Sequence, residues 1–215
     1  MAKYTSALRA EQAAATRRRV IAAAGECFAE SGYPATTLRA IATRAGVSVE
    51  TVQAAGAKRA LLMAAFDQIY TGENDERHFA ERPGVAELLA DPDPERALRS
   101  LARWIADGNR RVSGLWSIIV AAATSDPDIA SYHAEHVRRM REQTADVVAD
   151  LVARHLIEPA RPVDRTADLI WQAQLPEVWR RLVSDAGWSH EEYAEWLADT
   201  AVALCVPRKR RPRPE

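Results

Sequence analysis

The feature that most constrains this chain is the run TLRAIATRAGVSVETVQAAGAKRALL, residues 37–62. Leu38, Ile41, Ala42 and Ala45 fall at i, i+3, i+4 and i+7, the spacing of one buried helix face. Thr36 or Thr37 precedes them as an N-cap. Gly46 follows, a residue that takes positive φ without the steric cost others meet. Ser48 then stands at the next N-cap position, and Glu50 lies in the first turn, where a carboxylate suits the helix dipole. Two short helices, about 37–45 and 48–55, are thus joined by a tight turn. A third, at about 58–71, buries Leu61, Leu62, Ala65, Phe66 and Ile69.

The same period runs through the rest of the chain, and no stretch alternates as a strand does. A first helix spans about 8–31, with Val20, Ala24, Cys27 and Phe28 inward and Gly32 closing it. Beyond the polar run TGENDERHFAER, Pro83 opens a small helix to about Ala90, and DPDP breaks the chain. Helices then run about 95–112, 114–123 and 128–156, separated by local breakers. Another starts near Val163, is disturbed at Pro176 and continues to about Ala186. The last spans about 189–205, with Ser189 as cap. Only 9 glycines occur in 215 residues, which favours helix over sheet. The fold class is all-α: a three-helix unit, a helical body, about nine to ten helices in all. The expected division is residues 1–57, 58–206, and a basic, Pro-rich, disordered tail at 207–215.

Composition excludes several classes. The longest apolar run, IIVAAA at 118–123, is far too short to cross a bilayer. The N-terminus lacks the apolar stretch of a signal peptide. Cys27 and Cys205 lie far apart without CxxC spacing and read as reduced core thiols. A cytoplasmic protein with no membrane association is expected. No Gly-rich phosphate loop, nucleophile elbow or metal-ligand cluster is visible. His133 and His136 share a helix face but lack a third ligand, so no metal, cofactor or enzymatic activity is assigned. Net charge is −1, yet residues 1–60 carry +5, the tail +4 and the body −10. A basic head on an acidic body is the asymmetry expected when the head alone meets a polyanion.

That polyanion is double-stranded DNA. Helix 37–45 has the spacing to cross the phosphate backbone while helix 48–55 enters the major groove. Val47, Val52 and Ala55 form the supported side of the second helix. Val49, Glu50, Gln53 and Ala54 form the free side, with Thr51 at the flank. Gln53 is the candidate base reader, since its amide pairs bidentately with adenine. Thr37, Ser48, Thr51 and Lys58 are candidate phosphate contacts, and Arg39 and Arg44 lie on the same basic surface. One or two of Arg17, Arg18 and Arg19 face DNA.

The run FAESGYPATTLRAIATRAGVSVETV resembles the DNA-binding domain of the TetR family of transcriptional regulators. The resemblance rests on Phe28, Gly32-Tyr33, Thr36-Thr37, Ile41-Ala42, Ala45-Gly46-Val47-Ser48 and Thr51, with KRALL at 58–62 matching the start of the linking helix. It is specific over about 20–62. DPDPERAL, the ending and the length resemble actinobacterial-type members. The resemblance implies an all-helical homodimer whose heads read a palindromic operator and whose bodies bind a small-molecule effector that releases DNA, most often as a repressor. The departure is at VQAAGAK, where the family's aromatics at and near the Gln53 and Ala55 positions are absent and the run is one residue short.

All six tryptophans lie in the body. Aromatics at helix spacing usually build core. Trp104, Trp116 and Trp171 fall on three helices, and with His133, Met140 and Gln172 they are candidate pocket residues; Asn109, Arg110, His136 and Gln174 are further polar or charged groups on those helices that could line the pocket. The final helices, with Leu169, Ile170, Leu175, Val178, Trp196, Leu197 and Leu204, have the apolar content for a four-helix dimer interface. Two rivals remain: an all-α dimer that has lost operator binding, and a helical enzyme whose head is structural.

Overall fold

The computed structural model describes residues 2–71 and 78–206. Every regular element among them is helical: α1 (Ala2–Ala35), α2 (Leu38–Ala45), α3 (Val49–Ala55), α4 (Lys58–Thr71), α5 (Pro83–Leu89), α6 (Pro94–Ala123), α7 (Pro127–Ala153), α8 (Val163–Ala173), α9 (Pro176–Trp179) and α10 (His190–Cys205). A 3-10 turn at Phe79–Glu81 precedes α5, and a π turn at Arg180–Asp185 follows α9. The tail at 207–215 lies outside the described residues, as do residues 72–77 of the polar run after α4.

The chain forms two compact units. The first comprises residues 1–75 and 114–133, the second residues 76–113 and 134–215. In the first, α1 supplies Val20, Ile21, Ala24, Cys27 and Phe28, all buried, and α4 supplies Leu61, Leu62, Ala65 and Phe66. Gly25 lets the two helices approach: a Cβ there would stand 3.4 Å from the Ala65 Cβ. At Gly32 the backbone leaves the helix with φ +72°, and Thr36 closes the turn. Its buried hydroxyl donates to the Cys27 and Gly32 carbonyls at 3.0 and 2.7 Å. Thr37, one residue on, is the cap: its side chain accepts from the Ala40 N–H at 3.1 Å.

In the second unit, α6, α7, α8 and α10 enclose the core. Leu98, Leu101, Ala102 and Ile105 face it from α6, Val147, Val148 and Leu151 from α7, and Tyr193, Leu197 and Ala201 from α10. A polar chain crosses this core. Asn109 Nδ2 donates to the Gln174 carbonyl and to the Tyr193 hydroxyl, at 2.8 and 3.1 Å. Tyr193 in turn donates to the Ala173 carbonyl. Gln174 Nε2 donates to Thr144 Oγ1, which donates to the Met140 carbonyl. Buried polar groups need such partners, and here they also fix which helices meet.

Several boundaries differ from the sequence expectation. α1 begins at Ala2 rather than near residue 8. Residues 94–123 form one helix, because a single helical Gly such as Gly114, or Gly108 before it, costs about 1 kcal/mol and cannot by itself end one. α7 stops at Ala153, three residues early. His155 takes φ 57°, and the Leu156 N–H reaches back to the Leu151 carbonyl, a Schellman ending built without glycine. Pro176 does more than disturb its helix: α8 ends before it and α9 starts on it, as a proline at the first helical position allows. Ser189 caps α10 as expected, in a full capping box with Glu192.

Removing the Tyr193 hydroxyl strips a donor and an acceptor from the buried polar chain. Tyr193→Phe is expected to cost about 1–3 kcal/mol, read as a lowered urea midpoint with unchanged helicity at low denaturant.

Candidate nucleic-acid interface

α2 and α3 form the helix-turn-helix. Gly46 takes the left-handed conformation (φ 66°, ψ 39°) that ends α2, and the Val47 N–H bonds back to the Ala42 carbonyl. Ser48 then caps α3, accepting from the Thr51 N–H at 3.2 Å, with its hydroxyl 3.2 Å from that of Thr51. Of the seven residues of α3 only Val52 is wholly buried; Val49, Thr51 and Ala55 are half-buried, and Glu50, Gln53 and Ala54 are exposed. Val47 is half-buried under the turn. Of the free side foreseen from the sequence, Glu50, Gln53 and Ala54 are open, whereas Val49 is half-buried.

The flanking cations divide into two kinds. Arg39 is exposed on α2. Arg44, by contrast, grips Glu30 of α1 with both terminal nitrogens, at 2.7 and 2.5 Å, and lies 3.6 Å from Glu26. The guanidinium beside it holds the Glu30 carboxyl below the usual range, and the pair pushes Arg44 further up. Its charge is largely spent within the head. Lys58 sits at the start of α4, with its ammonium 3.2 Å from the Pro34 carbonyl and 4.6 Å over the Tyr33 ring. Partial burial lowers its pKa. Arg17, Arg18 and Arg19 are all exposed on α1. The Glu50 carboxyl is held below its usual value by its own backbone N–H and by the Ser48 hydroxyl, so it stays anionic on the outer side of α3.

A second set of contacts fastens the turn between α6 and α7 to the head. Tyr33 donates to Asp126 at 3.4 Å, Arg59 pairs with Asp128 at 2.8 Å, and the Tyr132 hydroxyl meets Asp67 at 2.8 Å. Sequence reasoning missed this group, because its members are up to 93 residues apart and the acidic partners Asp126, Asp128 and Asp67 belong to no motif.

The expected pocket residues are dispersed. Trp116 is buried in the first unit, its ring 4.9 Å from that of His133 and 5.2 Å from that of Phe66. Trp104 meets Phe79 edge-on in the second unit. Met140 is buried, Trp171 half-buried and Gln172 exposed. The second unit holds a small cavity of ≈ 50 Å³ whose lining includes Leu98, Ile105, Val148, Ile170, Thr144 and Gln174. None of the six candidate residues lines it. Gln174, a polar group the sequence offered for the pocket, does line it; for the other walls the sequence signal was the apolar stripe of each helix, which marks any core.

A helix-turn-helix with an open second helix is the geometry by which a helix enters the DNA major groove. Residues 20–65 match the family model "Bacterial regulatory proteins, tetR family". Residues 20–65 therefore match the DNA-binding domain of that family, and the model covers no residue beyond them. None of the curated proteins compared with it matches. Among solved structures, a protein described as a TetR-family transcriptional regulator from Mesorhizobium loti MAFF303099 is similar in fold. Identity is 23%, coverage is 89% of this chain and 95% of that one, and the TM-score is 0.68. A transcriptional regulator from Saccharomonospora viridis in complex with choline shows 20% identity over 89% and 98% of the chains, TM-score 0.68. The transcriptional regulator FadR from Bacillus subtilis, in complex with stearoyl-CoA, shows 16% identity over 87% and 98%, TM-score 0.63. Among the described residues no helix is long and apolar enough to cross a membrane.

The Arg44–Glu30 pair sets a pH dependence. Glu30 has a depressed folded pKa, so its contribution is complete above the ordinary Glu value of about 4.3 and is lost as pH falls through the lower folded value. The melting-temperature gap between wild type and Glu30→Gln is expected to be widest near neutral pH and to close below about pH 4.

Proposed function

We propose that the protein is a homodimeric, effector-controlled repressor that reads a palindromic operator through α3. The observation that carries this reading is the open side of α3: Glu50, Gln53 and Ala54 are exposed on a helix capped, turned and backed as a groove-entering helix must be. Gln53 reads adenine with its amide, and Glu50 accepts from cytosine N4 if it meets a base edge. Thr37, Ser48, Thr51 and Val49 lie along the approach. Arg39 and Lys58 neutralise phosphates, aided by the Arg17–Arg19 run. Arg44 acts at one remove, by holding α2 on α1.

The effector enters the second unit, where a small cavity already lies among residues of α6, α7, α8 and α10. Similar folds hold stearoyl-CoA and choline, which supports a body that opens around ligands of different chemistry. Trp104, Met140, Trp171 and Gln172 are the second-unit residues proposed to meet the ligand as it opens; Trp116 and His133 belong to the first unit and transmit rather than bind. Dimerisation uses α8 and α10. Leu169 is 45% exposed, a large apolar side chain that a second copy would cover, whereas Leu197 is buried in its own core and takes no part. An effector that favours the wrong head spacing by a few kcal/mol suffices to release DNA.

One observation favours a second reading, a dimer that has lost operator binding. The outer side of α3 carries no cation or aromatic, and Arg44 is already committed. Selection from random DNA followed by gel shifts separates the two. The repressor reading expects a palindromic consensus, and no shift at low salt by the folded dimer would refute it. Gln53→Ala is expected to relax preference at one base pair, by about 1–3 kcal/mol. Arg39→Ala is expected to weaken all sequences alike and to reduce the log–log salt slope by about 0.9 per phosphate lost.

A further inference from the structure

The cavity of ≈ 50 Å³ in the second unit has walls of nearly one chemical kind. Among the described residues that line it none is charged, and all are apolar except Thr144 and Gln174. The Arg141–Asp168 pair that joins α7 to α8, at 2.7 Å, stands at the surface instead.

The polar groups gather at one end. Gln174 Nε2 donates to Thr144 Oγ1, whose own proton goes to the Met140 carbonyl. Asn109 stands one turn beyond Ile105 on α6, about 6 Å further along that helix, and is wholly buried. Its Nδ2 donates to the Gln174 carbonyl and to the Tyr193 hydroxyl. A backbone carbonyl only accepts, so the amide fits only one way round and Oδ1 faces away from Gln174. That oxygen is buried with no hydrogen-bond partner. A buried acceptor in this position calls for a donor.

We propose, on the reading of this cavity as the effector site, that the effector is an uncharged molecule with an apolar body and one hydrogen-bond-donor head, a hydroxyl or an amide N–H. The body lies between α6, α7, α8 and α10, and the head donates to Asn109 Oδ1. The walls exclude a net charge, because an ion among them loses its hydration and gains no counter-ion. They favour an apolar body, which leaves water for apolar surroundings. A head that only accepts leaves Oδ1 orphaned and buries a second acceptor beside it. Ligand sites commonly measure about 300–1,000 Å³, so the cavity widens on binding. Met140, buried one turn before Thr144 on α7, is the side chain suited to yield at the polar end, being unbranched and adaptable.

The test uses the full-length protein and four probes that share an octyl-length chain: 1-octanol, 1-methoxyoctane, octanoate and octyltrimethylammonium, each titrated calorimetrically. 1-Octanol is expected to bind saturably, about tenfold or more tighter than the ether and than either ion. Ile105→Phe fills the cavity and is expected to weaken 1-octanol about tenfold. Asn109→Ala removes the acceptor and is expected to bring the ether within about twofold of the alcohol while the ions stay excluded. Circular dichroism checks the fold of each variant; should Asn109→Ala not fold, the probe series and Ile105→Phe decide. The proposal is overturned by an ion that binds as tightly as the alcohol, by an alcohol–ether gap that survives in folded Asn109→Ala, by 1-octanol binding indifferent to Ile105→Phe, or by no saturable 1-octanol binding. Gel shifts on the selected DNA separate this chemistry from effector control itself. An ion that binds and releases DNA overturns the chemistry and leaves effector control standing. 1-Octanol that binds with the expected profile and releases no DNA upholds the chemistry and overturns effector control.

Discussion

The head depends on holding a seven-residue helix still with one wholly buried side chain. A helix that short does not persist alone in water, where nucleation is costly and about 12–15 residues are marginal. Three local devices compensate in α3: the Ser48 cap at one end, the left-handed Gly46 that fixes the angle of entry, and Val52 in the core of α1, α2 and α4. Because so little of α3 is used for packing, most of its surface remains free. The economy of the support is what leaves Glu50, Gln53 and Ala54 outside.

The cations around α3 are sorted by the same packing. Arg44 spends its charge on Glu30 and Glu26, and thereby couples α2 to α1. Lys58 lies partly buried between a carbonyl and a tyrosine ring, next to the Tyr33–Asp126 contact that ties the α6–α7 turn to the head. Charge on the head is therefore not a uniform field; Arg39 and the α1 arginines are its exposed part. In the second unit the corresponding organiser is the buried chain from Asn109 through Tyr193, Gln174 and Thr144. It joins four helices across an otherwise apolar core, where a displaced partner would leave a polar group unpaired.

Much of this was legible in the chain. The stripe at Leu38, Ile41, Ala42 and Ala45, the turn glycine, the two caps and the all-helical pattern are local signals, and each appears where its spacing places it. Errors occurred where a local signal is weak against its context. Gly114 does not break α6, because the stripes before and after it continue in phase. His155 ends α7 in a conformation usually left to glycine. The pocket candidates were harder. Trp116 and His133 share a face with residues that proved to be core of the first unit, and helix periodicity cannot tell a cavity wall from a packed wall.

The sequence by itself determined the helices, their caps, and which side of α3 is apolar, because those depend on neighbours three or four residues away. Only the tertiary structure decided that Arg44 belongs to Glu30, that Tyr33 meets Asp126, and that Thr144 and Gln174 stand together at a small cavity. Those pairs lie from 14 to 93 residues apart. Their meeting depends on how whole helices pack, a property carried by no single stretch of the chain.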